Sequence, residues 1–115
     1  MTLLWTWGGD FFGYMDGYAL WTYDGRHVGR FIKMEAYGKN GDYLGEIKSE
    51  NRLITNTSKK HTKRGSFTPH AKRAGIAKYA KYAGYAMYAG HEDFPLSENI
   101  NDYMLWPLYC LICLI

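Results

Sequence analysis

Two short groups of residues have types and spacing that could support chemistry, Cys110-x-x-Cys113 and His91-Glu92-Asp93. A Cys-x-x-Cys pair is typical of zinc and redox sites, but a structural zinc needs four ligands and no second pair of suitable spacing exists. A redox pair would want a βαβ setting, which the sequence lacks. Three adjacent residues do not converge easily on one ion. We therefore interpret the cysteines as small buried hydrophobes and predict no metal site.

The serines do not form a catalytic pattern. None lies in a nucleophile elbow, and the glycines follow turns instead of opening a phosphate-binding helix. The sequence therefore predicts that the protein is not an enzyme. The serines considered lie in polar, turn-like stretches and are Ser49, Ser58, Ser66 and Ser97.

Basic residues are concentrated in one part of the chain. Residues 59–91 contain eight basic and no acidic side chains, whereas residues 1–58 have a net charge of −1 and residues 92–115 a net charge of −4. Such a run binds nucleic acid or anionic membranes in some proteins, but no recognition-helix, RNP or OB signature accompanies it. The competing hypothesis is neutralisation by the acidic parts of the chain. The candidate basic patch is Lys59, Lys60, Lys63, Arg64, Lys72 and Arg73.

A sixteen-residue unit occurs three times between residues 5 and 47, and a fourth copy begins at Leu53. Self-similarity at a fixed period indicates a repeat architecture. An aromatic residue opens each copy, a glycine follows four residues later, and an apolar run is interrupted by a second glycine. The matching columns are Trp5, Trp21 and Tyr37; Gly9, Gly25 and Gly41; Phe12, Val28 and Leu44; Gly13, Gly29 and Gly45; and Met15, Phe31 and Ile47.

Each unit is predicted to be a β-hairpin. The pairs Gly8-Gly9, Asp24-Gly25 and Asn40-Gly41 suit two-residue turns, which require positive φ at both positions. The second glycine lies within a strand and indicates a bulge or a close approach, for which an aromatic ring of a neighbouring copy is the expected partner. We therefore predict an all-β, antiparallel meander whose seven strands lie at about 3–7, 10–15, 18–23, 26–32, 34–38, 42–48 and 51–55.

The aromatic column Trp5, Trp21 and Tyr37 suggests a ligand hypothesis. Sites for small molecules are largely apolar and aromatic with few polar groups. If these rings surround a symmetric cavity in an oligomer, the cavity would suit a flat or isoprenoid, quinone-like molecule. No other cofactor is indicated.

From Ala74 onward the sequence has a period of three. Alanines form one column and Tyr79, Tyr82, Tyr85 and Tyr88 form the next. Polyproline II has three residues per turn and would keep the tyrosines in one row, so an extended segment of this kind is the first prediction. Alanine is the best helix former, so a partly helical segment is the alternative. We expect the tyrosines to cover the repeat sheet of their own or a neighbouring chain.

The sequence resembles the bacterial four-fold beta-flower family. The resemblance covers residues 1 to about 90 and rests on WTYDGRHVGRF at 21–31, on YGKNGDYLGEI at 37–47, and on the basic stretch of three-residue period that follows. It implies a symmetric tetramer with β petals and an uncharacterised role. The segment here uses Tyr and Ala where the family pattern has Pro and aliphatic residues. The resemblance implies no catalytic residues.

The carboxy-terminal residues 103–115 are almost entirely apolar and too few to span a bilayer. We expect them to be buried in an oligomer, inserted into a membrane interface, or wrapped round an apolar ligand. Met1–Gly9 does not resemble a signal peptide, so the predicted location is cytoplasmic, with membrane association through this segment as an alternative. The predicted contacts of a homotetramer are the four tyrosines with Leu105 and Trp106.

The sequence therefore divides into four predicted segments, and the predicted protein is a self-assembling structural module. The repeats would form its outer β layer, while the tyrosine row and the apolar terminus would form a shared interior. The predicted segments are a β-repeat domain at 1–57, a basic linker at 58–76, a period-three segment at 77–90, and an acidic turn with an apolar terminus at 91–115.

Overall fold

The computed structural model describes residues 1–100, which form eight β-strands and contain no α-helix. The first seven strands follow one another as an antiparallel meander, so the predicted all-β class is confirmed. The strands are β1 Thr2–Thr6, β2 Phe11–Asp16, β3 Ala19–Thr22, β4 His27–Ile32, β5 Glu35–Tyr37, β6 Tyr43–Lys48, β7 Arg52–Asn56 and β8 His91–Asp93.

The meander closes into a seven-stranded barrel because β1 also pairs with β7. Seven strands of alternating direction leave the first and the last pointing the same way, so the closing pair is parallel, with Trp5 opposite Arg52 and Thr6 opposite Leu53. Closure removes the exposed edges that an open sheet would present. The repeat predicted the strands but not their closure.

The three repeat turns are longer than predicted. In the first turn, the Thr6 N–H donates to the Asp10 carbonyl at 2.7 Å and the Gly9 N–H donates to the Thr6 carbonyl at 3.0 Å. These hydrogen bonds enclose three residues. In each of the three turns only the last enclosed residue has positive φ, at +98° in Gly9, +91° in Gly25 and +89° in Gly41. The prediction of two-residue turns is therefore wrong. A turn that ends in a left-handed glycine needs no positive φ at the residue before it.

A β-bulge follows each turn, as the second glycine predicted. Leu4 pairs with Gly13 and Trp5 with Phe11, which leaves Phe12 without an opposite residue. The same shift recurs in the β3–β4 and β5–β6 pairs. The predicted reason for the glycine was wrong in part. A Cβ on Gly29 would meet the Tyr37 backbone carbonyl of the next strand, and the ring that lies against Gly45 is Phe94, which is not part of a neighbouring copy.

The core lies inside the barrel of a single chain. One apolar residue on each of the first six strands recurs every eight residues, half of the repeat, and packs in or against this core: Leu4, Phe12, Leu20, Val28, Ala36 and Leu44. Phe94, from the segment after β8, packs edge to face on Phe12 at 5.2 Å and fills one end of the barrel. The core residues are Leu4, Phe12, Leu20, Val28, Phe31, Ala36, Ile47, Leu53, Phe94 and Ile100, with Met15 and Leu44 packed against them.

The described chain ends in a short segment held by one arginine. The Arg26 guanidinium donates to the carbonyls of Ser97 and Ile100, both at 2.6 Å. A 3-10 helix covers Ser97–Asn99; its N-cap residue is Leu96, and no side chain caps it. The predicted polar turn at 91–93 is instead strand β8. Among residues 1–100 there is no helix long and apolar enough to cross a membrane.

Candidate functional site: a belt on the barrel turns

Residues 60–90, which we call the belt, run around the outside of the barrel. They contain no helix and no strand, so the helical alternative is wrong. The belt leaves β7 through a 3-10 helix, Thr57–Lys59. It then passes the third, the second and the first repeat turn, and it returns to β7 through β8. The Thr57 N–H and hydroxyl both donate to the Gly90 carbonyl, at 3.0 and 2.8 Å, and so join the two ends of the belt.

Each repeat turn binds the belt in the same way. The N–H groups of Arg64, Arg73 and Tyr82 donate to the carbonyls of the three turn glycines at 2.8 to 2.9 Å. Three residues further along the belt, the N–H groups of Phe67, Ile76 and Tyr85 donate to the carbonyls two residues before those glycines, at 2.7 to 3.1 Å. The turn glycines are Gly41, Gly25 and Gly9, in the order in which the belt meets them.

The contacts define a nine-residue unit in the belt that matches the sixteen-residue unit of the barrel. The belt steps from Arg64 to Arg73 to Tyr82 while the barrel steps backward from Gly41 to Gly25 to Gly9. Within a unit, the bonded N–H groups lie three residues apart. This is the period that polyproline II would give and the 3.6-residue α-helix would not. Sequence reasoning found the period of three but missed the nine-residue unit, although Gly75 and Gly84 show it.

The aromatic column lies on the outer face of the barrel, under the belt. The Trp5 ring stacks on Tyr82 with centroids 3.9 Å apart. The Arg73 guanidinium lies 3.9 Å above the Trp21 ring, and Arg64 lies 5.6 Å from the Tyr37 ring. Each column residue therefore packs against the first residue of one nine-residue unit.

This burial bears on the ligand hypothesis. Trp5, Trp21 and Tyr37 are 3%, 1% and 0% exposed, respectively, and the chain itself covers them. The Trp5 indole N–H also donates to the Ala80 carbonyl at 2.9 Å. Within one chain these contacts already cover the rings, and a quinone-like ligand in an oligomer cavity stays a hypothesis.

Arg52 connects the closing strand pair to the belt. It is 4% exposed, and its guanidinium donates to the Trp7 carbonyl at 3.2 Å and to the Ala83 carbonyl at 2.8 Å. The same group lies 4.1 Å from the Tyr85 ring. A buried charge is tolerated only when it is hydrogen-bonded, so Arg52 depends on both the barrel and the belt. Its role could not be seen in the sequence because its partners lie far away along the chain.

Most of the predicted basic patch is paired within the chain, and these pairs support internal neutralisation. Arg64 stacks on Tyr37 as described above. Lys72 has no ion pair among residues 1–100. It holds the same position in its nine-residue unit as Lys63 and Lys81, but the barrel residue that corresponds to their partners is Arg26 instead of an aspartate. Binding of nucleic acid or membrane by this patch stays a hypothesis. The ion pairs are Lys60–Glu92 at 2.5 Å, Lys63–Asp42 at 2.7 Å, Arg73–Asp16 at 2.8 Å and Lys81–Asp10 at 3.2 Å.

Lys59 anchors the start of the belt. Its ammonium lies 2.7 Å from Glu35 and 3.0 Å from Glu46, while the Tyr37 and Tyr43 hydroxyls donate to these carboxylates at 2.6 and 2.7 Å. The hydrogen bonds from Lys59 and Tyr37 lower the pKa of Glu35. The two carboxylates raise the pKa of Lys59, and burial raises that of Tyr43. Lys59 and Glu35 are therefore charged and Tyr43 is neutral at neutral pH, and the cluster is a structural anchor.

The predicted oligomer contacts divide into two groups. Tyr79, Tyr82, Tyr85 and Tyr88, which we call the tyrosine row, are 45 to 49% exposed. They pack against Trp5 and Trp7 of their own chain. Their place in the shared interior of an oligomer stays a prediction. Leu105 and Trp106 lie outside the described residues, as do Cys110 and Cys113.

Residues 1–100 contain no group of three or more His, Cys, Asp or Glu side chains that could hold a metal ion. Comparisons with protein-family models, with curated proteins and with solved structures gave no match. The resemblance to the beta-flower family therefore stays a prediction.

Proposed function

We propose that the protein is a structural module that associates with further copies of itself through the tyrosine row. The observation that carries the proposal is the half-exposure of four tyrosines in one row, with Met87 beside them at 44% exposed. The barrel binds the backbone N–H groups of Tyr82 and Tyr85, so little loop entropy remains to be lost on binding. Tyr and Met are also enriched in protein interfaces.

A second copy is the partner that this surface fits best. Four of the seven basic side chains between residues 60 and 90 form ion pairs within the chain, which weakens the field that would attract an acidic ligand to the rings and alanines of this surface. The chain also supplies a second apolar element, residues 103–115, which follows directly on the buried Ile100. An assembly of identical chains brings four tyrosines and this segment from every copy. The resemblance to the beta-flower family makes a tetramer the expected form.

Light scattering of the purified chain should give a mass that is a multiple of the monomer mass at micromolar concentration. The double variant Tyr85→Ser and Tyr88→Ser should shift the equilibrium toward the monomer by tenfold or more, because each buried tyrosine at an interface contributes about 1 to 2 kcal/mol. Tyr18→Ser is the matched control, since Tyr18 is 77% exposed and lies in a turn outside the belt.

The control should associate like the unchanged chain, and circular dichroism should show that all three proteins are folded. A monomer at micromolar concentration, or an equal shift in the control, would contradict the proposed function. Removal of residues 103–115 then separates the two contributions. If only this deletion produces monomers, assembly depends on the terminus, and the tyrosine row is not the interface.

A further inference from the structure

The middle repeat of the barrel differs from the other two by a histidine. The repeat position held by Phe11 in the first unit and by Tyr43 in the third is His27 in the second. Facing it in the belt is His70, with ring centroids 4.8 Å apart, at the position that Tyr79 holds in the next nine-residue unit. Only in this unit are both facing rings imidazoles.

The hydrogen bonds of His27 fix its protonation state. The His70 backbone N–H donates to His27 Nδ1 at 2.8 Å, so Nδ1 carries a lone pair. The other nitrogen, Nε2, lies 2.9 Å from the Gly29 carbonyl and must carry the proton to donate to it. Both bonds form only with the neutral imidazole protonated at Nε2. A second proton on Nδ1 would point at the His70 N–H and remove the bond.

The surroundings also oppose a positive charge on His27. From the belt, His70 and Arg73 face it. From the barrel, its own strand contributes Arg30, whose guanidinium lies 5.7 Å from the Phe67 ring that packs on His27. Arg73 is itself paired with Asp16. Burial lowers the pKa of His27, the hydrogen bond to the Gly29 carbonyl offsets part of this effect, and the charges of His70 and Arg73 lower the pKa further.

We propose that His27 is an acid-sensitive latch that holds the middle of the belt on the barrel at neutral pH and releases it when protonated. The direction of the pH dependence follows from the linkage between protonation and folding. The folded-state pKa lies below the ordinary value of 6.5, so the unfolded or released form binds more protons in this range. The stabilisation by neutral His27 is complete above pH 6.5. It is lost as the pH falls from 6.5 through the folded-state pKa. Release would uncover Trp21, which is 1% exposed.

The repeat itself supplies the test variants. His27→Phe copies the first unit, and His70→Tyr copies the facing residue of that unit. Amide hydrogen exchange, corrected for intrinsic rates, is compared at pH 7.5 and pH 5 in the full chain. In the unchanged protein we expect the Arg73 and Ile76 amides to lose tenfold or more of their protection on acidification. The Tyr82 and Tyr85 amides, bound at the first turn, should keep theirs.

His27→Phe should remove this dependence on pH, and His70→Tyr should retain it. Because each variant is compared with itself at two pH values, a uniform loss of stability does not obscure the result. The proposal is overturned if the middle amides of the unchanged protein keep their protection at pH 5, if His27→Phe still loses protection there, or if His70→Tyr alone abolishes the effect. None of these outcomes depends on whether the protein self-associates.

Discussion

Gly25→Ala is expected to lower the free energy of unfolding by about 3 kcal/mol, because backbone strain costs about 1 to 2 kcal/mol and lost belt contacts cost about as much again. Gly25 has φ of +91°, which an L side chain adopts only with strain. A Cβ at this position would also collide with the Arg73 carbonyl. The belt would have to move away, and the hydrogen bond from the Arg73 N–H and its stacking on Trp21 would be lost.

Gly17→Ala is the matched control. Gly17 also has positive φ, at +62°, but a Cβ there would meet nothing within 4 Å. This variant should lose only the strain energy, about 1 kcal/mol. Urea unfolding measures both costs, and Trp fluorescence at zero urea should report exposure of Trp21 in Gly25→Ala alone. Equal costs for the two variants would show that the belt does not lie against the turn.

Phe94→Ala should destabilise the barrel by about 3 to 5 kcal/mol, the usual cost of removing a buried aromatic ring. Phe94 is 2% exposed and fills the end of the barrel against Phe12 and Gly45. Phe67→Ala is a suitable comparison, because Phe67 lies in the belt and is only partly buried. Its cost should be about 1 kcal/mol, near the centre of ordinary substitutions. A Phe94→Ala protein that unfolds at the same urea concentration as Phe67→Ala would contradict this assignment of the core.

The sequence predicted the features that depend on neighbouring residues. The glycine after Asp24 and Asn40 marks the turns, and Gly29 and Gly45 mark the bulges, since backbone conformation limits what can stand there. The strands follow from these positions and from the apolar alternation between them. The turn length was missed, because a single positive φ and a pair of positive φ values favour the same Asn-Gly and Asp-Gly sequences.

Features that join distant residues could not be predicted in this way. Nothing local to β1 or β7 specifies their parallel pairing, which arises because seven strands of this curvature bring Trp5 beside Arg52. The path of the belt was also missed. Its first part was predicted only as a basic linker, because the carboxylates that pair with the basic residues, such as Asp10 and Asp42, are dispersed through the repeats. The match between the nine-residue unit of the belt and the sixteen-residue unit of the barrel becomes visible only when the two segments are placed together.

The register of the belt on the barrel can be measured directly by cross-linking. A zero-length carbodiimide cross-linker joins a lysine to a carboxylate only when the two are in contact. Mass spectrometry of the digested protein should find Lys63 joined to Asp42 and Lys81 joined to Asp10, the pairs that lie 2.7 and 3.2 Å apart. A mixture of isotope-labelled and unlabelled protein should show both links within one chain. Links from Lys63 to Asp10 and from Lys81 to Asp42 would mean that the belt runs in the opposite direction, and would contradict the account.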